Sequence, residues 1–201
     1  MSYLLSELDA LRNRIASGND ADLPGPYLTY LSVTVVGDDA HLDFYGNPFD
    51  DCYTDLLQTL AKPPISKNLR SLTLRGPDEG ANGTRAWDLG TLFQHETVFP
   101  RLETFHVQRT DPSDHNRSII GETYEENGQI AHLLRLSPAL RYLTVPSAPN
   151  TEFFKTTNSR LEYLNVDAGY DTQDFIACLS ESDAFPRLRS LEWGEYNETY
   201  L

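Results

Sequence analysis

One short apolar pattern recurs along this chain and constrains its fold more than any other feature. Five segments share the order leucine, two variable residues, an apolar residue, one variable residue and a second apolar residue. They are residues 69–74, 102–107, 140–145, 161–166 and 188–193, with residues 28–33 as a weaker sixth copy. Because side chains alternate between the two faces of a strand, each copy is expected to be a strand with one buried face. Repetition at this scale predicts a stack of similar units.

The residues that lead into these strands repeat as well. Pro100, Pro138 and Pro186 each stand two places before the first leucine of a copy, and residues 99–102 and 185–188 are identical. Proline lacks an N–H and disfavours helix in the residue before it, so it ends a helix and delivers extended chain.

The segments between the strands have helical spacing. Residues 51–60 place Leu56, Leu57 and Leu60 on one face after a possible aspartate N-cap. Two further helices are predicted around Ile130, Leu133, Leu134 and Leu136 and over residues 172–180, with weaker candidates at 86–93 and 151–155. The first leucines of successive copies are 41, 33, 38, 21 and 27 residues apart. The longer intervals predict inserted loops at residues 76–85 and 110–121, which are rich in Gly, Pro, Asp and Asn.

With these features the five segments resemble the strand portion of the leucine-rich-repeat family, over roughly residues 65–201. The resemblance implies an α/β solenoid, with parallel strands on its concave face and helices or irregular turns on its convex face. One feature departs from the family. The position usually held by Asn or Cys carries Pro77, Thr110, Ala148, Gly169 and Tyr196. An irregular solenoid, similar to those of divergent bacterial repeat proteins, is therefore expected.

Residues 1–50 differ from the rest and are predicted to cap the solenoid, which would occupy residues 51–201. Residues 2–16 have the apolar spacing of an amphipathic helix. Residues 27–36 and 40–45 are predicted strands of a hairpin that turns at Gly37, Asp38 and Asp39. No comparable segment follows the last repeat. Whether that end is covered by this chain or by a partner stays open.

The charge balance narrows the class of partner. The chain has 30 acidic and 16 basic side chains, a net charge of −14. Such a field repels phosphate, so nucleic acid and anionic membrane are poor partners, and it attracts a basic protein. The excess acid could equally serve only solubility. The first 18 residues contain Glu7 and Asp9, so we expect no secretory signal, no membrane span and a cytoplasmic protein. Cys52 and Cys178 are expected to be buried free thiols.

The repeat register also predicts which side chains face outward and form a contact surface. Tyr142 and Tyr163 occupy equivalent places on successive strands, and tyrosine is a common interface anchor. The predicted partner-binding residues are Tyr142, Tyr163, Asp167, Glu192, His106, Asn165 and Arg75. The alternative is that these are ordinary strand residues. At the second motif position Arg70, Glu103, Arg141, Glu162 and Arg189 alternate in sign, which predicts exposed ion pairs at the rim.

Catalytic and metal-binding patterns are missing from the sequence. No nucleophile-elbow, phosphate-loop, dinucleotide or zinc-protease motif occurs, and the five histidines share no metal-ligand spacing. We therefore predict a non-enzyme without cofactor or metal. The enzymatic alternatives are a hydrolase with paired carboxylates and a degenerate enzyme with its site at residues 110–121.

These features favour a protein-binding module that uses the concave face and the inserted loops. A specific version is an immunity protein that neutralises a toxin. The alternative is a scaffold or substrate-recruitment subunit whose N-terminal helix docks to a larger assembly. The sequence leaves the partner, the pathway and the oligomeric state open.

Overall fold

The computed structural model describes residues 3–19, 27–78, 80, 83–122, 126–168 and 171–195. Helices and strands alternate along most of this chain. The helices are α1 (Tyr3–Ser17), α2 (Asp51–Leu60), α3 (Ile65–Asn68), α4 (Gly90–Phe93), α5 (Gln129–Leu136) and α6 (Phe175–Ser180), with a 3₁₀ helix at Thr151–Lys155. The strands are β1 (Tyr30–Val36), β2 (Asp39–Tyr45), β3 (Leu69–Arg75), β4 (Gly83–Trp87), β5 (Thr104–Val107), β6 (Asn116–Ile120), β7 (Tyr142–Val145), β8 (Tyr163–Asp167) and β9 (Ser190–Gly194).

Seven strands form one open, mostly parallel sheet in the order β1-β2-β3-β5-β7-β8-β9. This confirms the α/β class, and each of the five repeat segments contributes one parallel strand. The predicted hairpin is also confirmed, with Gly37 at φ 64° in its turn. The weak sixth copy at residues 28–33 is not a repeat strand. It belongs to β1, which the hairpin turn makes antiparallel to β2, so the first parallel strand is β2.

The apolar residues of the repeats lie in one column on the helix-covered face of the sheet. Leu42, Leu72, Phe105, Leu143 and Leu164 occupy neighbouring register positions, and each is 2% exposed or less. The helices lie side by side over this column, since α1, α2, α4, α5, the 3₁₀ helix and α6 contact each other in that order. The fold therefore has one layer of strands and one layer of helices.

Most helix predictions are confirmed. The apolar faces of α1, α2 and α5 are buried where the spacing placed them. Helix α6 differs, because only Phe175 is buried while Ile176 is 46% exposed. The two cysteines lie in α2 and α6 and are free, but both are only half-buried.

The two predicted inserted loops are partly wrong. Their distal portions form β4 and β6, which pair in parallel as a second small sheet. The reason is burial, because Trp87 is fully buried and its Nε1 donates to Ser118 Oγ at 3.0 Å. The weak helix predicted over residues 86–93 shrinks accordingly to Gly90–Phe93.

The apolar core runs without interruption from Leu4 in α1 to Phe185 before β9. The division into a cap at residues 1–50 and a solenoid at 51–201 stays a prediction, since both parts contribute to this one core. Within the described ranges, none of the helices has the length and apolar composition needed to cross a bilayer.

Candidate binding surface on the outer face of the sheet

The sheet has an outer face, opposite the helices, that carries the predicted contact residues. Its central row crosses all seven strands in register. This row consists of Ser32, Asp43, Thr73, His106, Thr144, Asn165 and Glu192. A second row toward the amino ends of the parallel strands holds Tyr142 and Tyr163. A third row, at their carboxyl ends, holds Arg75 and Asp167. All seven predicted residues therefore share one face, as the alternation of strand side chains requires.

Tyr142 and Tyr163 are register partners on β7 and β8, as predicted. Tyr142 is 40% exposed, and the Arg141 guanidinium lies 5.3 Å from the centre of its ring. Tyr163 is half-buried, and its Oη accepts a hydrogen bond from Asn165 Nδ2 at 3.1 Å. Of the two rings, Tyr142 is the one available to another molecule.

Asn165 lies at the centre of a polar group that we call the Asn165 cluster, formed with Arg109, Tyr163, Asp167 and Glu192. Its Nδ2 also donates to Glu192 Oε2 at 2.7 Å, and its Oδ1 accepts from Arg109 Nη1 at 3.0 Å. Arg109 Nη2 in turn pairs with Asp167 Oδ1 at 2.5 Å. With all these bonds Asn165 is only 7% exposed, so it holds its neighbours in place and does not itself offer a contact surface.

Arg109 was not among the predicted residues, and it changes the electrostatics of the surface. The predicted acidic patch is partly neutralised, because Arg109 pairs with Asp167 and lies near Glu192. The hydrogen bond that Arg109 donates to Asp167 is the main reason that the pKa of Arg109 is raised. Arg109 follows β5, whereas Asp167 ends β8 two strands away in the sheet. A single arginine after a strand does not indicate in the sequence that it will pair with a carboxylate on another strand.

Arg75 belongs to a separate group near the hairpin, the Arg75 cluster, formed with Tyr30, Asp43 and Tyr45. Its guanidinium binds Asp43 through two bonds of 3.0 and 2.8 Å and donates to Tyr30 Oη at 3.3 Å. Tyr30 and Tyr45 stack with their ring centres 5.2 Å apart. The fold therefore does not bring Arg75 into the Asn165 cluster.

His106 lies between the two clusters in the central row. It is half-buried, and burial is the largest cause of its lowered pKa. The positive charge of Arg75 lowers the pKa further, while Asp43 opposes this. His106 is therefore held toward its neutral form.

A cavity of about 170 Å³ opens beside the Asn165 cluster at the carboxyl ends of the strands. Pro146, Ala168 and Gly194 provide apolar lining. Residues 110–112 and Arg117, from the second insertion, also line it, and so does Glu195. One of the two predicted contact loops thus borders the outer-face surface.

Three ionisable groups of that insertion bond either within it or to the first insertion. Asp114 pairs with the buried Arg85 at 2.8 Å, and Asp111 accepts from Ser113. Asp78 accepts from His115 Nδ1 at 2.8 Å. Desolvation would raise the pKa of Asp78, but the hydrogen bonds from the His115 side chain and from nearby main-chain N–H groups hold it well below its usual range. We therefore interpret the charged groups at residues 111, 114 and 115 as residues that hold the loops in place.

The alternating charges form ion pairs at the amino-terminal rim of the sheet, as predicted. Arg70 lies 3.1 Å from Glu103, and Arg141 lies 2.9 Å from Glu162. Arg189 continues the alternation next to Glu162 and contributes to lowering the pKa of that carboxyl, after Arg141. Exposed pairs of this kind contribute about 0–1 kcal/mol each.

Across the described ranges, no group of three or more His, Cys, Asp or Glu side chains is arranged to hold a metal ion. The chain matches no protein-family model, no curated protein and no solved structure.

Proposed function

We propose that this chain is a non-enzymatic module that binds a partner protein through the outer face of its sheet. The observation that carries the proposal is Tyr142, an exposed ring beside the internally bonded Asn165 cluster. At the carboxyl ends of the strands, Arg109 and Asp167 of the same cluster line the cavity bordered by residues 110–112. A fixed surface loses little conformational entropy when a partner binds. The order of the strands and the single helix layer support a leucine-rich-repeat-like solenoid, whose concave side is this outer face.

The partner we propose is a basic protein. The net charge of −14 attracts cations over the whole surface and speeds their encounter. Near the cavity Asp111, Glu192 and Glu195 are exposed and can receive lysine or arginine side chains. A basic residue whose aliphatic stem packs on Pro146 and Ala168 would suit the cavity.

In its most specific form the proposal is an immunity protein that blocks a basic toxin. The recruitment alternative needs a free docking surface on α1. The apolar face of that helix is buried in the core. Each of its residues is at most 4% exposed, and they are Leu4, Leu8, Leu11 and Ile15. Arg14 of the same helix is paired with Asp55 of α2 at 2.9 Å. These contacts favour the outer-face version, because the apolar face of α1 is already packed in the core and only Tyr3, at the start of the helix, is a large exposed ring among its described residues.

The test is capture of a partner from the native cell by the wild-type chain, followed by measurement of its affinity for the Tyr142→Ala variant. We expect at least about tenfold weaker binding, as for loss of an aromatic anchor. Phe49→Ala is the matched control, because Phe49 is 65% exposed outside the outer face and its loss should leave the affinity unchanged.

Two further measurements sharpen the test. Association should slow as salt rises if charge steers the encounter. For the immunity version, the captured partner should be toxic alone, and the wild-type chain should suppress that toxicity better than Tyr142→Ala. Equal affinities of wild type and Tyr142→Ala would refute the outer-face proposal.

A further inference from the structure

The apolar column of the sheet ends at a residue that is not buried. Leu191 on β9 is the register partner of Leu164 on β8, which is fully buried, yet Leu191 is 39% exposed. Every preceding position in the column is covered. In the part of the chain that the structure describes, nothing pairs with the far side of β9. The sheet therefore presents an apolar side chain at an unpaired strand edge.

The main chain of β9 is also ready to pair. Ser190 donates its N–H to Glu162 at 3.2 Å, and the carbonyl of Gly194 accepts from Ala168 at 2.7 Å. Alternate residues of a strand direct their N–H and C=O groups to opposite sides. The N–H and C=O groups of Leu191 and Trp193 consequently face the open edge, where they can bond to another strand.

The charges along this segment are opposite on the two sides of Leu191. Arg187 and Arg189 precede it, and Glu192 and Glu195 follow it. All four side chains are exposed. Such a segment is complementary to itself when two copies run antiparallel, because the basic half of each copy then faces the acidic half of the other.

We infer that β9 pairs antiparallel with β9 of a second copy of this chain, around a two-fold axis at Leu191. The two Leu191 side chains then pack together. Arg187, in the turn before β9, and Glu195, just after it, extend the pairing at its ends, so that Arg187 of each copy approaches Glu195 of the other. A parallel arrangement would place arginine against arginine and glutamate against glutamate. An antiparallel register centred on Glu192 would bring two carboxylates together.

The opposite edge of the sheet does not have this self-complementarity. Strand β1 carries no charged residue from Tyr30 to Val36, so charge would select neither an orientation nor a register there. Because β9 has only five residues, pairing through it alone gives a small interface of the kind found in weak complexes.

The experiment is sedimentation equilibrium of the full chain and its charge variants. The wild type should form dimers in a concentration-dependent manner, with a dissociation constant below about 0.5 mM. Arg187→Glu should weaken the dimer about tenfold, because two ion pairs become repulsive in each dimer. Glu195→Arg should weaken it similarly. An equimolar mixture of these two variants should regain wild-type association, since both pairs are restored in the mixed dimer.

Two more variants make the result decisive. Leu191→Asp should abolish association, whereas Val36→Asp at the β1 edge should leave it unchanged. Recovery in the mixture also shows that both charge variants are folded. A wild-type chain that stays monomeric, or a mixture that fails to recover, overturns the inference. Glu195 also borders the cavity proposed for a basic partner, so self-association is measured with the purified chain alone, and the affinity of Tyr142→Ala for a different protein is a separate measurement.

Discussion

At the scale of single residues, a few buried polar side chains hold irregular segments by bonding to main-chain groups. Glu126 is 6% exposed and accepts from the N–H groups of Gly128, Ile130 and Asn150. Asn158 is 4% exposed and accepts from the N–H groups of two residues that follow it. A buried polar group without a partner costs about 1–3 kcal/mol, so these residues stabilise the fold only while their bonds are intact.

Glu126→Gln should therefore lower the free energy of unfolding by about 1–2 kcal/mol. The Gln amide nitrogen is a donor and would face an N–H group that now donates to the carboxylate. Urea denaturation provides the measurement. Glu152→Gln is the control, because Glu152 is exposed and pairs only with Lys155 in an i,i+3 contact. Equal stabilities of the two variants would contradict this role of Glu126.

His106 should make stability depend on pH. Its pKa in the folded chain is lowered, mainly by burial and then by Arg75. A group with a depressed folded pKa contributes stability above its unfolded pKa, near 6.5, and that contribution is lost as pH falls through the folded value. We expect the free energy of unfolding to fall less for His106→Gln than for the wild type as the pH is lowered from about 7.5 to about 5. This range spans the pKa of histidine in the unfolded chain. Parallel urea titrations of both proteins measure the difference, and identical pH profiles would disprove the assignment.

At the scale of elements, the second sheet joins the two insertions to the main core. Trp87 of β4 packs edge-on against Tyr53 of α2, with ring centres 5.4 Å apart, and bonds to Ser118 of β6. Arg85, in the same strand, donates to the carbonyls of Gly76 and Pro77. The insertions are thereby fixed beside the outer face.

Ser118→Ala should destabilise the chain by about 1–3 kcal/mol, because it leaves the buried Trp87 N–H without an acceptor. Trp87→Phe removes that donor, so the cost of Ser118→Ala should be smaller in its presence. Thermal or urea unfolding of the four proteins in this double-mutant cycle gives the coupling energy. Additive effects would show that the Trp87–Ser118 hydrogen bond contributes nothing.

At the end of β9, Gly194 leaves room for the Arg109–Asp167 ion pair. A Cβ atom at Gly194 would overlap the Asp167 carboxylate and lie 2.8 Å from Arg109 Nη2. Gly194→Ala should displace the ends of these two side chains and weaken the Arg109–Asp167 pair, at a cost of about 1 kcal/mol. Gly18→Ala is the control, since its Cβ would approach nothing closer than 3.5 Å. Calorimetric unfolding compares the two, and an unchanged Gly194→Ala stability would refute the close packing.

At the scale of the whole molecule, charge is the dominant feature. The net charge of −14 favours contact with cations but opposes compaction through self-repulsion. The ion pairs at the rim of the sheet act in the opposite direction. They are partly exposed and contribute about 0–1 kcal/mol each, so the repulsion is expected to outweigh them.

Sodium chloride should accordingly raise the melting temperature of the chain. Between roughly 20 and 200 mM salt the Debye length falls to less than 10 Å, which screens the net repulsion. Neutralising two exposed acids with Glu181→Gln and Asp183→Asn should reduce this gain. Thermal scans monitored by circular dichroism measure both effects. A melting temperature that falls with salt would mean that the ion pairs dominate.

Much of the fold could be predicted from the sequence, because its information is local. The strand motif, the prolines before it and the helical spacing at residues 3–17, 51–60 and 129–136 each depend on neighbours a few positions away. The shared outer face of the seven predicted contact residues follows from the same strand register. Weak or mixed sequence patterns gave incorrect predictions. The spacing of Ile176 fits a helix, but it could not show that α6 leaves this side chain exposed.

The sequence by itself determined which residues form the five repeat strands and which of their side chains leave the core, since period-two alternation settles both. Only the tertiary structure decided how those side chains combine. The insertions pair with each other as β4 and β6, Arg109 reaches Asp167 across the sheet, and Asn165 becomes buried by its neighbours. Apart from the bond between Asn165 and Tyr163, these contacts join residues that lie 27 or more positions apart, and local patterns carry no information about such distances. The exposed Leu191 has the same origin, because its burial depends on a layer beyond β9 that the repeat motif alone does not specify.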